Sequence, residues 1–444
     1  MSPAPTMQND ETVDATISAL PQVARISRGA VAMAWWSVCS AMVYLFLGAA
    51  LALAHGTRNA LVGITIAVCV FSVINGPLAR YAVQTGLSCA ALSRRMLGNV
   101  GASIATLILA ATGVYYAVFE GSVLAVAMSR VIPSLSYRGA AILIALYSTP
   151  IVLGSVQRWL NRLNGALLPC YLAGLVMVAL LPVLHHGYSN AWLHLEPAGG
   201  AQPFGWWPCL TTYLGVLILS MVTMDFARFG RPTDADFHAL VTFGAPFYLL
   251  TFLVNGAVGI FLVASLDAQS ISETAVVEAS LLTLGPIAGL AWVWVTQTRI
   301  NTANYLLGAL NLQALTEEVV GARIPKAICA AVVGGVVLAL TSFTDVFSYL
   351  LTALSYQGIL VTAWVGVALS YVIGRPVTAD DEPVVTAVSR PGLIAWLAGA
   401  LVGFAIMMLG GPIASASVPV TLAVSVGVHK VMSWAPAMSR ITSS

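Results

Sequence analysis

Long apolar runs are the feature of this sequence that most constrains its fold. Twelve runs follow one another, and each has about 17–28 residues, enough to cross the roughly 30 Å hydrocarbon core of a bilayer. A backbone surrounded by lipid must satisfy its own hydrogen bonds, so we expect every run to be a helix. The runs occupy about residues 31–54, 60–78, 101–128, 139–156, 165–184, 208–225, 238–265, 286–311, 326–342, 346–373, 391–409 and 412–432.

The composition agrees with a membrane protein and excludes an ordinary soluble one. Hydrophobic residues make up 59% of the 444 residues and charged residues only 8%, against about 25% charged residues in a typical soluble domain. The formal net charge of +2 gives no reason to expect nucleic acid as a partner. The six cysteines show neither a CxxC spacing nor a Cys/His cluster, so we predict no disulfide framework and no metal site beyond a coupling ion.

Basic residues between the runs predict the orientation in the membrane. With the N-terminus in the cytoplasm, fifteen Lys and Arg residues fall in cytoplasmic segments and three in outer segments, which is the bias expected for twelve spans with both ends inside. We therefore predict a multi-pass protein of the plasma (inner) membrane, with membrane lipids as partners. Residues 1–28 are polar and predict a disordered cytoplasmic tail, and residues 434–444 form a second predicted cytoplasmic tail.

Two long connections indicate an internal repeat. The connection after the second run (79–98) and the one after the seventh (266–285) have similar lengths and lie five runs apart. An odd offset turns the second copy upside down, which is the inverted-topology repeat typical of secondary transporters. Residues 29–375 would then form a ten-helix core of two five-helix copies, followed by two further helices in 376–433. A coincidental similarity between two loops is the alternative.

Motifs that mark other classes of membrane protein are absent from the sequence. It contains no GxxxxGK[ST] phosphate loop, no HExxH metal-binding motif and no TVGYG-type filter. These absences favour a secondary transporter, without a cofactor, over an ATP-driven pump, a membrane enzyme or a channel. A sensor or scaffold that does not transport is a second interpretation, although the chain shows no soluble output domain.

Two charged residues inside apolar runs are candidates for function, because a charge within the bilayer is costly. Glu120 lies one helical turn after Tyr116, so a flat ligand that stacks on Tyr116 would bring its N–H groups to the carboxylate. In a stronger form of this hypothesis, Glu120 accepts the transported proton. Arg299 is predicted to be a structural intramembrane charge that faces the interior and engages Glu120, helix carbonyls or water. A structural ion pair is the alternative for both residues.

The eighth run carries a dense polar cluster between residues 296 and 304. Residues four apart share a helix face, so Gln297 and Asn301 form an amide face for a substrate. Thr298 and Thr302 form a hydroxyl face with hard oxygen ligands that suit Na⁺. Hydrogen bonding between packed helices is the alternative role for such a cluster.

Small polar positions in the first and sixth runs predict local unwinding, which frees backbone groups to bind ions and substrates. In the first run, we expect carbonyls near Ser37 to complete a cation site with Thr298 and Thr302. In the sixth run, Tyr213 and Gly215 are the candidates for contact with the substrate.

Four stretches of the chain resemble the nucleobase-cation-symport family, in its cytosine/purine permease branch. QTGLSCAALSRRMLG (84–98) is similar to the family's TGL…R…G loop, and MDFARFGR (224–231) to its ADF.RFGR motif. TQTRINTANYLLGALNL (296–312) resembles the polar eighth helix of this branch, and AVFEGSV (117–123) a subgroup of cytosine-permease-like proteins. The resemblance covers about residues 28–375.

This resemblance implies a leucine-transporter-type fold, with a ten-helix inverted-repeat core and two extra helices. It implies a substrate site between helices 1, 3, 6 and 8, and sodium- or proton-coupled uptake of a nucleobase or a similar flat heterocycle. Apart from the resemblance, we expect the protein to be a monomer. The chain departs from the family at Tyr116, because the family has at this position a tryptophan that stacks on the substrate. It also departs at Gly215 and Ile218, where cytosine permeases carry serines. Purine, cytosine, hydantoin and allantoin-like substrates therefore stay open, as does an amino-acid permease of the same fold.

Overall fold

The computed structural model describes residues 19–151, 156–197, 199–265, 273–322, 324–343, 346–373 and 386–441. Over these residues the protein is helical, and the β-structure there is one isolated bridge between Ile26 and Gly230. The helices are α1 (Arg28–Trp35), α2 (Val43–His55), α3 (Thr57–Thr85), α4 (Cys89–Val131), α5 (Tyr137–Ile151), α6 (Val156–His186), α7 (Trp206–Leu214), α8 (Ile218–Ala227), α9 (Pro232–Ser265), α10 (Glu273–Leu284), α11 (Pro286–Val320), α12 (Lys326–Phe343), α13 (Val346–Val372), α14 (Arg390–Leu409) and α15 (Ser417–Ile441). The predicted all-α class is therefore confirmed.

Many of these helices are long and apolar enough to cross a membrane. Within the described residues, seven helices meet this requirement by length and composition, or nine if each of two bent pairs counts as one span. Helix α5 has 15 residues, α12 is a shorter apolar helix, and α11 carries the polar cluster. A multi-pass membrane protein is thus supported, and the number of twelve spans stays a prediction.

Two helical pairs bend sharply at a short break. The first pair joins α1, through a short 3₁₀ turn at Val38–Ser40, to α2, and the second joins α7 to α8, each with a bend of 44°. At the second break, the backbone N–H groups of Val216 and Leu217 bond three residues back instead of four. Both breaks lie where small polar residues predicted unwinding. The binding of ions and substrates by their backbone groups stays a prediction.

Glycine pairs bring the central helices into backbone contact. A Cβ on Gly113 of α4 would lie 2.5 Å from the backbone nitrogen of Gly308 on α11. A Cβ on Gly48 of α2 would likewise collide with the backbone of Gly256 on α9. Since no larger residue fits at these contacts, α4 and α11 approach closely enough for their polar side chains to meet.

The two long connections both contain a helix. Residues 89–97 form the first turns of α4 and are set apart by a kink at Gly98, whose φ is 81°. In the second connection, α10 packs against α11, while residues 266–272 lie outside the described part. The helical connections agree with an inverted repeat, which itself stays a prediction.

The N-terminal strap, residues 19–26, closes one end of the helix bundle. The Leu20 N–H donates to the carbonyl of Gly86, just after α3. The Arg25 guanidinium donates from Nη1 to the carbonyls of Val83 at 2.5 Å and Gly230 at 2.6 Å. The strap therefore ties α3 to the connection between α8 and α9.

The strap corrects the predicted extent of the N-terminal tail. Residues 1–18 lie outside the described residues, but 19–28 are ordered because their backbone groups and Arg25 find partners on the bundle. At the other end, α15 continues to Ile441, past the predicted start of a tail at residue 434. The predicted boundary between the core and the last two helices falls in 374–385, also outside the described residues.

Candidate functional site

Glu120 lies deep inside the bundle. Its residue is 1% exposed, and neither carboxylate oxygen has a hydrogen bond of good geometry. The Gln297 side chain and the Met42 backbone N–H still lie close enough to the carboxylate to approach it as hydrogen-bond donors. Met42 directly precedes α2 at the first break. The carboxylate thus faces both the broken first pair and the polar cluster of α11.

The predicted amide face of α11 points towards α4. Gln297 and Asn301 are buried, and the nitrogen and oxygen atoms of both side-chain amides lack hydrogen-bond partners. A Cβ on Gly121 would lie 3.8 Å from Nδ2 of Asn301, which places that amide beside the residue after Glu120. The structure therefore brings Glu120, Gln297 and Asn301 together, as the helical spacing predicts for the two amides.

Two tyrosines lie near this group. Tyr44 of α2 and Tyr116 of α4 are both close to Glu120, and Tyr213 of α7 is close to Tyr44. The Tyr213 hydroxyl is buried without a hydrogen-bond partner, and its ring packs 4.8 Å from that of Phe252. Sequence reasoning missed Tyr44. Its signal was a lone aromatic hydroxyl two residues after Met42, next to a predicted unwound segment.

Gly215 lies at the second break and serves close packing there. Its N–H donates to the carbonyls of Thr211 and Thr212 at 3.2 and 3.1 Å. A Cβ on Gly358 of α13 would lie 3.2 Å from the Gly215 Cα atom, so the two backbones nearly touch. The contact places α13 directly behind the break. Contact between Gly215 and a substrate stays a prediction.

Arg299 is fully buried and faces the first break, so it points into the protein as expected. Its Nη2 donates to the carbonyl of Trp36 at 3.3 Å, and its guanidinium carbon lies 5.7 Å from the ring centre of Tyr171. Neither Arg299 nor Glu120 takes part in an ion pair among the residues described. The two buried charges therefore have separate surroundings.

The hydroxyls at the predicted cation-site residues make hydrogen bonds within the protein, and the cation site itself stays a prediction. The Thr298 hydroxyl lies 3.1 Å from that of Tyr147 on α5, and the Thr302 hydroxyl donates to the Thr298 carbonyl at 2.6 Å. The Ser37 hydroxyl, just after the end of α1, donates to the Ala34 carbonyl at 2.7 Å. With 3.6 residues per turn, Thr298 and Arg299 point to different neighbours, and Arg299 is the one that reaches the first break.

The chemistry of the site follows from its unsatisfied groups. Glu120 offers two acceptor oxygens, while Gln297 and Asn301 offer donors and acceptors together. Each buried polar group without a partner costs about 1–3 kcal/mol, so a ligand that satisfies several of them binds favourably. The nearby phenol rings of Tyr44 and Tyr116 supply flat apolar surface. The arrangement suits a small flat molecule with N–H and C=O groups around its edge.

Comparison with known proteins identifies the fold of the chain but shows no family for it. No protein-family model matches the chain, and no curated protein matches it. Solved structures do match over nearly the whole chain. Mhp1, a nucleobase-cation-symport-1 family transporter, in a closed conformation with bromovinylhydantoin bound, is 13% identical with a TM-score of 0.74, over 94% of this chain and 95% of that one.

Two further matches are transporters with other ligands. A manganese transporter of Eremococcus coleocola, in complex with an aromatic bis-isothiourea compound, is 13% identical with a TM-score of 0.59, over 94% of this chain and 95% of that one. MhsT in complex with L-phenylalanine is 14% identical with a TM-score of 0.58, over 90% and 99%. The chain thus has the fold of these membrane transporters, and the match to Mhp1 agrees with the family that the four sequence stretches resemble.

Proposed function

We propose that this protein is a cation-coupled secondary transporter that imports a nucleobase or a related flat heterocycle across the plasma membrane. One observation carries the proposal. The polar atoms of Glu120, Gln297, Asn301 and Tyr213 are buried without hydrogen bonds of good geometry, near the two broken helical pairs. Broken helices are where transporters of this kind bind their substrates.

The nature of the unsatisfied atoms supports a heterocycle with amide-like edges. The Glu120 carboxyl group can accept from N–H donors of a ligand. Each of the two side-chain amides can pair with a donor and an acceptor that lie side by side on the ligand. A ring such as cytosine, a purine, a hydantoin or allantoin presents this alternation within one plane. Tyr116 and Tyr44 provide faces on which such a ring can stack.

The surroundings of Glu120 argue against an amino-acid substrate. In a buried site of low dielectric, the carboxylate of an amino acid needs a basic partner. In the described part, no basic side chain pairs at Glu120, since Arg299 faces the first break instead. The amino-acid permease is therefore the weaker alternative.

A ligand screen on purified protein tests the proposal. The melting temperature would be measured with cytosine, uracil, adenine, hydantoin, allantoin and L-phenylalanine, and uptake of the radiolabelled hits would follow in cells. We expect stabilisation and uptake by one class of heterocycle and none by phenylalanine. Stabilisation by phenylalanine alone favours the amino-acid permease, and a bound but untransported ligand favours the sensor.

We further propose that both chain ends lie in the cytoplasm and that the protein acts as a monomer. The fifteen-to-three distribution of Lys and Arg supports the orientation. A reporter that is active only in the cytoplasm, fused after Ser444, would be active if this orientation is correct. Sedimentation in detergent would test the monomer.

A further inference from the structure

The break between α1 and α2 exposes carbonyl groups to the interior of the bundle. The Cys39 carbonyl accepts from Asn255 Nδ2 at 2.7 Å and lies 3.1 Å from the Tyr171 hydroxyl. The Trp36 carbonyl accepts from Arg299 at 3.3 Å. Unwound carbonyls of this kind coordinate coupling cations in secondary transporters. Here the Cys39 carbonyl has neutral donors as its partners, and the Trp36 carbonyl accepts from a guanidinium.

The surroundings of Arg299 are those of a bound monovalent cation. The ionisable side chains that act on it are Cys39, Tyr171 and Cys170, all of which are ordinarily neutral at pH 7. Its charge is therefore balanced by the Trp36 carbonyl dipole and by the ring face of Tyr171 rather than by a carboxylate. Its Nε and Nη1 atoms have no hydrogen-bond partner and are free to donate as the helices move.

The two hydroxyls on α11 nearest to Arg299 already take part in hydrogen bonds within the protein. The hydroxyls of Thr298 and Thr302 bond towards α5 and within α11. A sodium ion at the break would also lie beside a fixed positive charge, and like charges repel strongly inside a protein. Arg299 of α11 thus places a positive charge at the break. Thr298 and Thr302 would offer only neutral oxygen atoms there.

We propose that Arg299 is a tethered cation that takes the place of sodium at the first break. It links α11, which carries the amides Gln297 and Asn301, to the broken first pair without needing an ion from solution. Substrate binding is then independent of sodium, and the coupling ion is a proton. The consequence for substrate binding rests on the proposed transport function, whereas the position of the charge at the break does not.

The first test needs no substrate. The melting temperature of the purified full-length protein would be compared in NaCl, KCl and choline chloride at equal ionic strength. We expect the same value in all three salts. A saturable rise that is specific to sodium would show a sodium site and overturn the proposal.

The second test asks whether a free cation can replace the tethered one. Arg299→Ala should lower the melting temperature, and millimolar guanidinium chloride should restore part of the loss. Guanidinium should not raise the melting temperature of the wild type or of Arg130→Ala, whose arginine forms an exposed ion pair with Glu278 at 2.8 Å. The neutral variant Arg299→Gln should resemble Arg299→Ala. Equal stability of Arg299→Gln and the wild type would show that the charge is dispensable and would overturn the proposal.

A third test separates this inference from the proposed function. Binding of the heterocycle that stabilises the wild type would be measured with and without sodium, where a sodium-coupled site would change the affinity by about 5- to 150-fold. We expect an unchanged affinity, and a sodium-dependent one would refute the tethered cation. If no heterocycle binds, the proposed function fails, while the salt comparison and the guanidinium rescue still decide the role of Arg299.

Discussion

Replacing Glu120 by glutamine removes the only carboxylate that faces the predicted substrate site among the described residues. The substitution keeps the size of the side chain and one acceptor oxygen, and it turns the second acceptor into an N–H donor. Neither oxygen of Glu120 makes a hydrogen bond of good geometry in the structure, although Gln297 and the Met42 backbone approach the carboxylate. The variant therefore tests the charge and the second acceptor without opening a cavity.

The expected loss can be worked from these contacts. A hydrogen bond to a charged group contributes about 1.5–3 kcal/mol. At about 1.4 kcal/mol per factor of ten, Glu120→Gln should weaken binding roughly 10- to 100-fold. A ligand that donates once to the carboxylate would give the lower value, and one that donates twice the higher. The amides of Gln297 and Asn301 remain in place, so binding should be weakened and not abolished.

Calorimetry with the heterocycle that stabilises the wild type would measure the change in Kd. Glu278→Gln is the matched control, because Glu278 lies on α10, pairs with Arg130 and is 41% exposed. The control should bind like the wild type. An unchanged Kd for Glu120→Gln, with an unchanged melting temperature, would refute the assignment of Glu120 to the substrate site.

Three further predictions follow from contacts in the bundle. Gly113→Ala should lower the melting temperature, since forcing a methyl group into a packed contact costs about 1–3 kcal/mol, whereas Gly335→Ala, with open space around its Cβ position, should not. Tyr116→Ala should weaken ligand binding roughly 2- to 10-fold in calorimetry, as expected for a lost stacking contact of about 0.5–1.5 kcal/mol, and Tyr116→Phe should retain it. Arg25→Ala removes the hydrogen bonds of the strap to the carbonyls of Val83 and Gly230. The buried thiol of Cys89 at the same end should then react faster with a maleimide. An unchanged reaction rate would mean that the strap does not hold this end closed.

The sequence predicts those parts of the site that depend on a single helix. Gln297 and Asn301 share a face because of the helical repeat, and Glu120 follows Tyr116 by one turn. It also predicts the two breaks, because small polar residues interrupt otherwise apolar spans. These features need no knowledge of how the helices pack, so local periodicity is enough to find them.

Contacts between helices were not predictable in this way. Periodicity places Thr298 and Arg299 on different faces of α11, but not which face meets the first break. That choice is made by close backbone contacts such as the one between Gly113 and Gly308, which set the rotation of α11 against α4. For the same reason the position of Tyr44 beside Glu120 was missed, and the cation site at Thr298 stays a prediction.

The N-terminal strap also has a practical consequence for trapping one state of the protein. Any movement that opens this end must first release Arg25 from the carbonyls of Val83 and Gly230. An antibody fragment that binds the strap and the end of α3 together would stabilise their contact. It would keep this end of the protein closed without binding the opposite end. A fusion partner placed directly before Leu20 would instead disturb the contacts of the strap, so tags on this protein belong after α15.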